Sequence, residues 1–310
     1  MYIGIDVGGM SIKAGIVTDK GKLLFKNSVP TPLGGNDEFC KAMGEAVDNV
    51  LSEAGCSPND IDAIGVGAPG IIDRENCRLV YSCNIHYENA PVGDYLKSKY
   101  GTNVIAENDA NCAAVGEYYA SENAGNIVFI TLGTGIGGGI IIDGRLYSGS
   151  NGAGAELGHT VTHAGGRKCG CGRCGCWEAY ASTSGLIKLA EENRDKLGLT
   201  PGISIDGITI FNESEKGNLE ASRIINEWIG EIGIGLTNMV NIFQPDEIII
   251  GGAVCAQGDV IMEPVRKYVY ENEYTAPDKN IKKVRITASR LGGDAGIIGA
   301  ALLWKNKTSK

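Results

Sequence analysis

YIGIDVGGMSIKAGIVTDKGKLL, residues 2–24, and IVFITLGTGIGGGIIIDGRLY, residues 127–147, share one layout. Each is an apolar β-type run, a glycine turn with hydroxyl residues, a second apolar run, and a D-x-G or D-G turn into a third strand. One supersecondary unit used twice predicts two α/β domains with a cleft between them. The second loop contains G-x-G-x-x-G at Gly133, Gly135 and Gly138. In a dinucleotide-binding fold that loop opens a helix whose N-terminus receives the pyrophosphate. Here a β-branched run, GIIIDGRLY, follows, so the segment is a hairpin and the dinucleotide reading is rejected. A P-loop is excluded as well, because G-x-x-x-x-G-K-[ST] does not occur.

Five glycines occupy the seven positions 133–139, more than a turn needs, since each costs chain entropy on folding. Exposed N–H groups at Gly135 and Gly137 suit phosphate oxygens, with Thr131 and Thr134 as hydroxyl donors. A side chain at Gly135 is therefore expected to damage nucleotide binding far more than sugar binding. The alternative is a tight hairpin with no ligand. In the first loop Asp6 ends a strand beside Gly8, Gly9, Ser11 and Lys13. A carboxylate there suits magnesium, directly or through water, and Lys13 offers charge to a phosphate.

Strands and helices alternate through the rest of the chain. Residues 37–55 have helical periodicity, 61–69 read as strand and loop, and 102–120 as strand then helix. Helices follow near 177–192, 218–243 and 258–272, strands at 246–252 and 284–289, and a closing helix after 293. The expected division is a domain at 1–118, with helix 293–310 packing back on it, and a larger domain at 119–292.

The formal net charge of -9 argues against a nucleic-acid partner, which would need clustered Lys and Arg. No signal peptide and no long apolar span are evident, so no membrane partner is expected. The ten cysteines are too few for a disulfide scaffold in a chain this long, and six are scattered singly, as reduced thiols of a cytoplasmic protein would be. The other four crowd into HTVTHAGGRKCGCGRCGCWE, residues 159–178.

Two glycine phosphate loops, a strand ending in AENDAN, GAGAELGH and C-G-C-G-x-x-G-C-x-E together resemble the ROK family of repressors and sugar kinases, within the actin-like ATPase (ribonuclease H-like) fold. The resemblance runs from about residue 3 to 304 and is closest to the members that phosphorylate glucose. It implies ATP-dependent phosphorylation of a hexose at its 6-hydroxyl, glucose first, with N-acetylmannosamine or N-acetylglucosamine as alternatives. The family's repressors carry a DNA-binding segment ahead of the first strand, which here starts at residue 2. The resemblance also implies ATP and Mg2+ as cofactors, and a homodimer or homotetramer.

Family zinc sites resemble the spacing of His159, Cys169, Cys171 and Cys176, which would hold a structural Zn2+. Cys174 would be a bystander, although His163 or Cys174 could replace a ligand. Asp109 would be the general base, with helix capping by Asn108 and Asp109 as its alternative. Asn108, Glu156, His159 and Glu178 would contact sugar hydroxyls, with Asn84 and residues 67–70 lining the same pocket. For Glu178 the alternative is a helix first-turn charge. Gly251, Gly252 and Ala253 would form the adenosine loop, with a simple strand-ending turn as the alternative. Gly230, Gly233 and Gly235 would allow close helix packing. In NIHYENAPV, Tyr87 and Glu88 stand where many family glucose kinases carry tryptophan, which leaves sugar preference open.

Overall fold

The computed structural model describes residues 1–82, 85–121, 125–199, 203–278 and 280–307. In the first half of the chain β1 (Tyr2–Val7) pairs antiparallel with β2 (Ser11–Val17), and β2 with β3 (Leu23–Pro30). Next comes α1 (Asn36–Ala54), whose Phe39, Met43, Val47 and Val50 recur at helical spacing and are buried. Gly55 ends it at φ 62°, a left-handed cap that glycine adopts without strain. β4 (Ala63–Ala68) is buried at every position and lies parallel to β1, as a strand covered on both faces should be. The short strands β5 (Ile71–Asp73), β6 (Arg78–Ser82) and β7 (Tyr87–Ala90) form their own sheet. After α2 (Val92–Tyr100), β8 (Asn103–Asn108) joins β4 in parallel and leads into α3 (Asp109–Ala120).

The second half repeats the plan. β9 (Ile127–Leu132), β10 (Ile136–Ile142) and β11 (Arg145–Leu146) form the hairpin layer. The helices α4 (Glu178–Ala181), α5 (Thr183–Glu192), α6 (Arg194–Leu197), α7 (Gly207–Glu215) and α8 (Leu219–Phe243) follow. Then come β12 (Glu247–Gly251), α9 (Asp259–Asn272), β13 (Arg285–Ala288), parallel to β12, and α10 (Ala295–Lys307). The two five-stranded sheets have orders β3-β2-β1-β4-β8 and β11-β10-β9-β12-β13. Renumbered within each half, the two orders are identical, so the duplication seen in the glycine loops extends to whole sheets. The chain has the actin-like ATPase fold.

Contacts divide the chain into one unit of Met1–Phe129, Gly138–Ala155 and Arg290–Lys310, and another of Ile130–Gly137 and Glu156–Ser289. The sequence reading puts the break at 118/119. The division instead cuts across the second hairpin, because the far half of β10 leans on α3. A Cβ at Gly139 would lie 2.4 Å from that of Ala114. In the first unit α10 packs on β1, β4 and α3. It does so through missing side chains: a Cβ at Gly4 would fall 1.8 Å from the Ile297 carbonyl oxygen, and one at Gly65 1.8 Å from that of Ala300.

Among the described residues no helix is long and apolar enough to cross a membrane.

Candidate active site

Asp6 is the next-to-last residue of β1, and its register partner on β2 is Lys13. The Lys13 Nζ lies 3.5 Å from Asp6 Oδ2. Burial pushes the Asp6 carboxyl above its usual range, Lys13 opposes this, and Asp294 adds to it. Between the two strands the turn is closed by the Gly8 N–H donating to Ser11 O at 2.9 Å and by the Thr31 hydroxyl donating to Gly8 O at 2.7 Å. A Cβ at Gly9 would meet nothing within 4 Å, so its backbone stands open to an incoming group.

Asn108 and Asp109 sit where β8 becomes α3. Asn108 is the N-cap: its Oδ1 accepts from Ala110 N at 2.9 Å and Asn111 N at 3.2 Å. Asp109 is the first helical residue and half-buried, and its Oδ1 lies 2.9 Å from Ala110 N. Capping is therefore assigned to Asn108, which answers the alternative reading for Asp109 in part. The sequence reading passed over Glu107, which is buried at 1 % exposure. Its Oε1 accepts from Asn108 N at 2.9 Å and Asn111 Nδ2 at 3.1 Å, and its Oε2 from the Ser148 hydroxyl at 3.1 Å. Arg74 Nε completes the set at 2.8 Å. A buried carboxylate with this many donors is a fastening point, and nothing in the sequence beyond its place before the Asn-Asp pair sets it apart.

In the second unit the hairpin from β9 to β10 turns at Gly133–Gly135. The glycine run leads into a strand, as expected. At Gly133 a Cβ would meet nothing within 4 Å, but the backbone itself is engaged: its N–H donates to Gly135 O at 3.0 Å and its carbonyl accepts from the Thr183 N–H at 2.9 Å. Gly135 is different: a Cβ would fall 2.4 Å from Glu178 Oε2. A side chain at Gly135 would therefore have to displace Glu178 as well as crowd the turn. Thr134 is exposed and Gly137 half-buried. The φ of 91° at Gly252 favours glycine, and a Cβ there would strike the Leu132 carbonyl oxygen at 2.2 Å, so Gly252, just after Gly251 at the end of β12, lets the chain lie against β9.

His159, Cys169, Cys171 and Cys176 come together, one ligand atom from each lying within 4.8 Å of the others. His159 Nδ1 is 3.7 Å from Cys169 Sγ, and the Cys171 and Cys176 sulfurs are 3.6 Å apart. Burial lifts the Cys169 thiol to about 12, while the backbone N–H of Arg173 lowers Cys171 to about 6. Three thiols and one imidazole form a donor set that fits a tetrahedral soft-to-borderline divalent ion. Cys174 is exposed and outside this group. His163 is engaged elsewhere, stacked on Tyr180 with centroids 4.0 Å apart and its Nε2 3.5 Å from Glu231 Oε1.

Glu178 begins α4 two residues after Cys176. Its Oε2 accepts from Ile136 N at 2.8 Å, and its Oε1 lies 3.7 Å from Cys169 Sγ. Before it, Trp177 is fully buried against Gly235 of α8, where a Cβ would come within 1.9 Å of the indole. Gly233 likewise admits the Tyr268 ring. Glu156 is exposed and precedes the turn Leu157–His159.

Asn84 lies outside the described residues. Tyr87 belongs to the core, stacked on Phe39 at 4.2 Å with its hydroxyl donating to the Pro32 carbonyl, so it does not stand in for a tryptophan that touches sugar.

Comparison with known proteins agrees with this geometry. The ROK family model matches residues 2–307. A glucokinase of Streptomyces coelicolor is 35% identical over 97% of this chain and 96% of its own. One from Halalkalibacterium halodurans is 33% identical over 99% and 95%. The crystal structure of a ROK family glucokinase from Streptomyces griseus, in complex with glucose and AMPPNP, superposes with a TM-score of 0.81 at 34% identity, covering 97% of this chain and 98% of that one. A duplicated glycine hairpin, a cluster of one histidine with three cysteines, and full-length similarity converge: the chain belongs to the ROK family.

Proposed function

We propose that the chain is an ATP-dependent hexose kinase that converts glucose to glucose 6-phosphate. The observation that carries this reading is the end-to-end similarity to glucokinases, one of them solved with glucose and AMPPNP. Phosphoryl transfer asks the protein for alignment, charge neutralisation and a base near the attacking hydroxyl. Asp109 accepts the 6-hydroxyl proton as that oxygen attacks the γ-phosphorus and ADP leaves. Asn108, Glu156, His159 and Glu178 hold the other hydroxyls, and their acceptors go unfilled with the wrong epimer. The backbone at Gly9, with Gly8, Lys13, Thr134, Gly135 and Gly137, receives phosphate oxygens, and Gly251 and Gly252 receive the adenosine.

Asp6 is the residue to hold Mg2+, which would neutralise phosphate charge. His159, Cys169, Cys171 and Cys176 would hold Zn2+, which would fix the loop. With Nδ1 turned to that cluster, His159 keeps Nε2 for a sugar hydroxyl. The compartment we assign is a reducing cytoplasm, on the six cysteines scattered singly through the sequence, and the assembly a homodimer or homotetramer.

A coupled assay against glucose, fructose, mannose, N-acetylglucosamine and N-acetylmannosamine tests the reading. The highest kcat/KM is expected with glucose. A tenfold preference for an N-acetylated sugar would move the assignment to that substrate, and no ATP-dependent transfer to any of them would overturn it.

A further inference from the structure

The hairpin that carries Gly133 and Gly135 is mounted on the segment that follows the metal ligands. Four contacts within the second unit do this. The Ile136 N–H donates to Glu178 Oε2 at 2.8 Å. The Thr183 N–H donates to Gly133 O at 2.9 Å, and the Ser184 hydroxyl to Thr134 O at 2.8 Å. On the other side Gly158 lies against the Ile136 carbonyl, where a Cβ would fall 2.2 Å from the oxygen. The Ile136 N–H is thus held, and its carbonyl closely packed, by residues flanking the histidine and cysteine cluster.

We infer that Glu178 is a positioning residue for the nucleotide hairpin, in addition to its place among the sugar contacts. This deepens the kinase reading and rests on it. The chemistry is a charge-assisted hydrogen bond donated by the backbone N–H to the carboxylate, a stronger type than a neutral pair. Its geometry also explains the residue at 135, because only glycine leaves space for the Glu178 oxygen beside the turn. One carboxylate oxygen is committed to the hairpin, and the other faces Cys169. A shift in the metal loop or in the sugar would therefore be transmitted to the backbone that meets ATP.

The experiment is calorimetric titration of the sugar-free protein with AMPPNP and magnesium, together with amide hydrogen exchange at Ile136. Three variants are compared with the wild type: Glu178→Ala, Glu178→Asp and Glu178→Gln. Alanine removes the acceptor, aspartate keeps the charge without the reach, and glutamine keeps an acceptor oxygen at full reach. Loss of a hydrogen bond to a charged group should weaken AMPPNP by about tenfold or more in the Ala and Asp variants. Exchange at Ile136 should accelerate by at least a similar factor. The Gln variant should stay within about threefold of wild type for AMPPNP while losing sugar affinity, a split that general loss of structure does not produce. AMPPNP affinity at the wild-type level in either the Ala or the Asp variant overturns the inference. Should the Ala variant fail to fold, the Asp variant decides. Failure of the wild type to bind AMPPNP would sink the kinase reading instead.

Discussion

Asn108 and Asp109 are neighbours with different work. Asn108 commits its side-chain oxygen to two N–H groups at the start of α3, so the helix keeps its cap whatever stands at 109. That makes Asp109→Asn a clean test of proton acceptance. The change is nearly isosteric, and an amide oxygen can still face Ala110 N. Turnover is expected to fall by roughly 10²–10⁴, the range for loss of a general base, while glucose affinity by calorimetry changes less than about threefold. Near-wild-type turnover would remove Asp109 from the mechanism, and equal losses of binding and turnover would make it a positioning group. Glu107, one residue earlier, shows why spacing alone misses such roles. It is an ordinary acidic residue in the sequence, and only the fold brings Arg74 and Ser148 onto it.

At the scale of elements, residues 177–192 read as one helix but form two, because Ser182 is extended at ψ 168° and its hydroxyl accepts from Gly185 N at 3.1 Å. A serine inside an apparent helix was the available signal, since serine competes for backbone hydrogen bonds and favours caps. The break frees the Thr183 N–H for the Gly133 carbonyl. The metal loop 159–177 has little apolar content of its own, and its four donors converge on one point. We therefore expect one Zn2+ per chain by elemental analysis. Stripping it with a chelator, or substituting Cys176→Ser, should open 159–177 to proteolysis and speed exchange at Ile136 through Glu178. Metal-free protein with an intact loop and unchanged exchange would refute a structural metal. Hairpins, long helices and the pattern of His159 with its three cysteines were legible because each has a strong period or a fixed spacing. The sheet of β5, β6 and β7 was not, because strands of three to five residues are too short to display a period of two. Helix α7, which begins at a glycine after the Asp206 cap, was equally silent.

At the scale of the whole chain, the repeated strand order explains why two remote glycine loops look alike: each is the first turn of the same five-stranded plan. The seat of α10 is the part of that plan with least tolerance. In Gly65→Ala the added methyl would lie 1.8 Å from the Ala300 carbonyl oxygen, backbone that cannot rotate away. A cost of about 3 kcal/mol, the upper part of the range for overpacking, corresponds to a Tm lower by roughly 6–12 °C at 2–4 °C per kcal/mol. A thermal melt checks it, and an unchanged Tm would mean that α10 is more loosely seated than these distances say. The same seat sets a timetable for synthesis. Strand β1 leaves the ribosome early, yet the helix that covers Gly4 and sets Gly296 beside the Asp6 carboxylate is translated only after residue 294. At roughly 5–20 residues per second, on the order of 15–60 s pass with that sheet face uncovered. During this interval the nascent first unit lacks the helix that covers Gly4, and its Asp6 pocket stays unfinished until the ribosome has delivered α10.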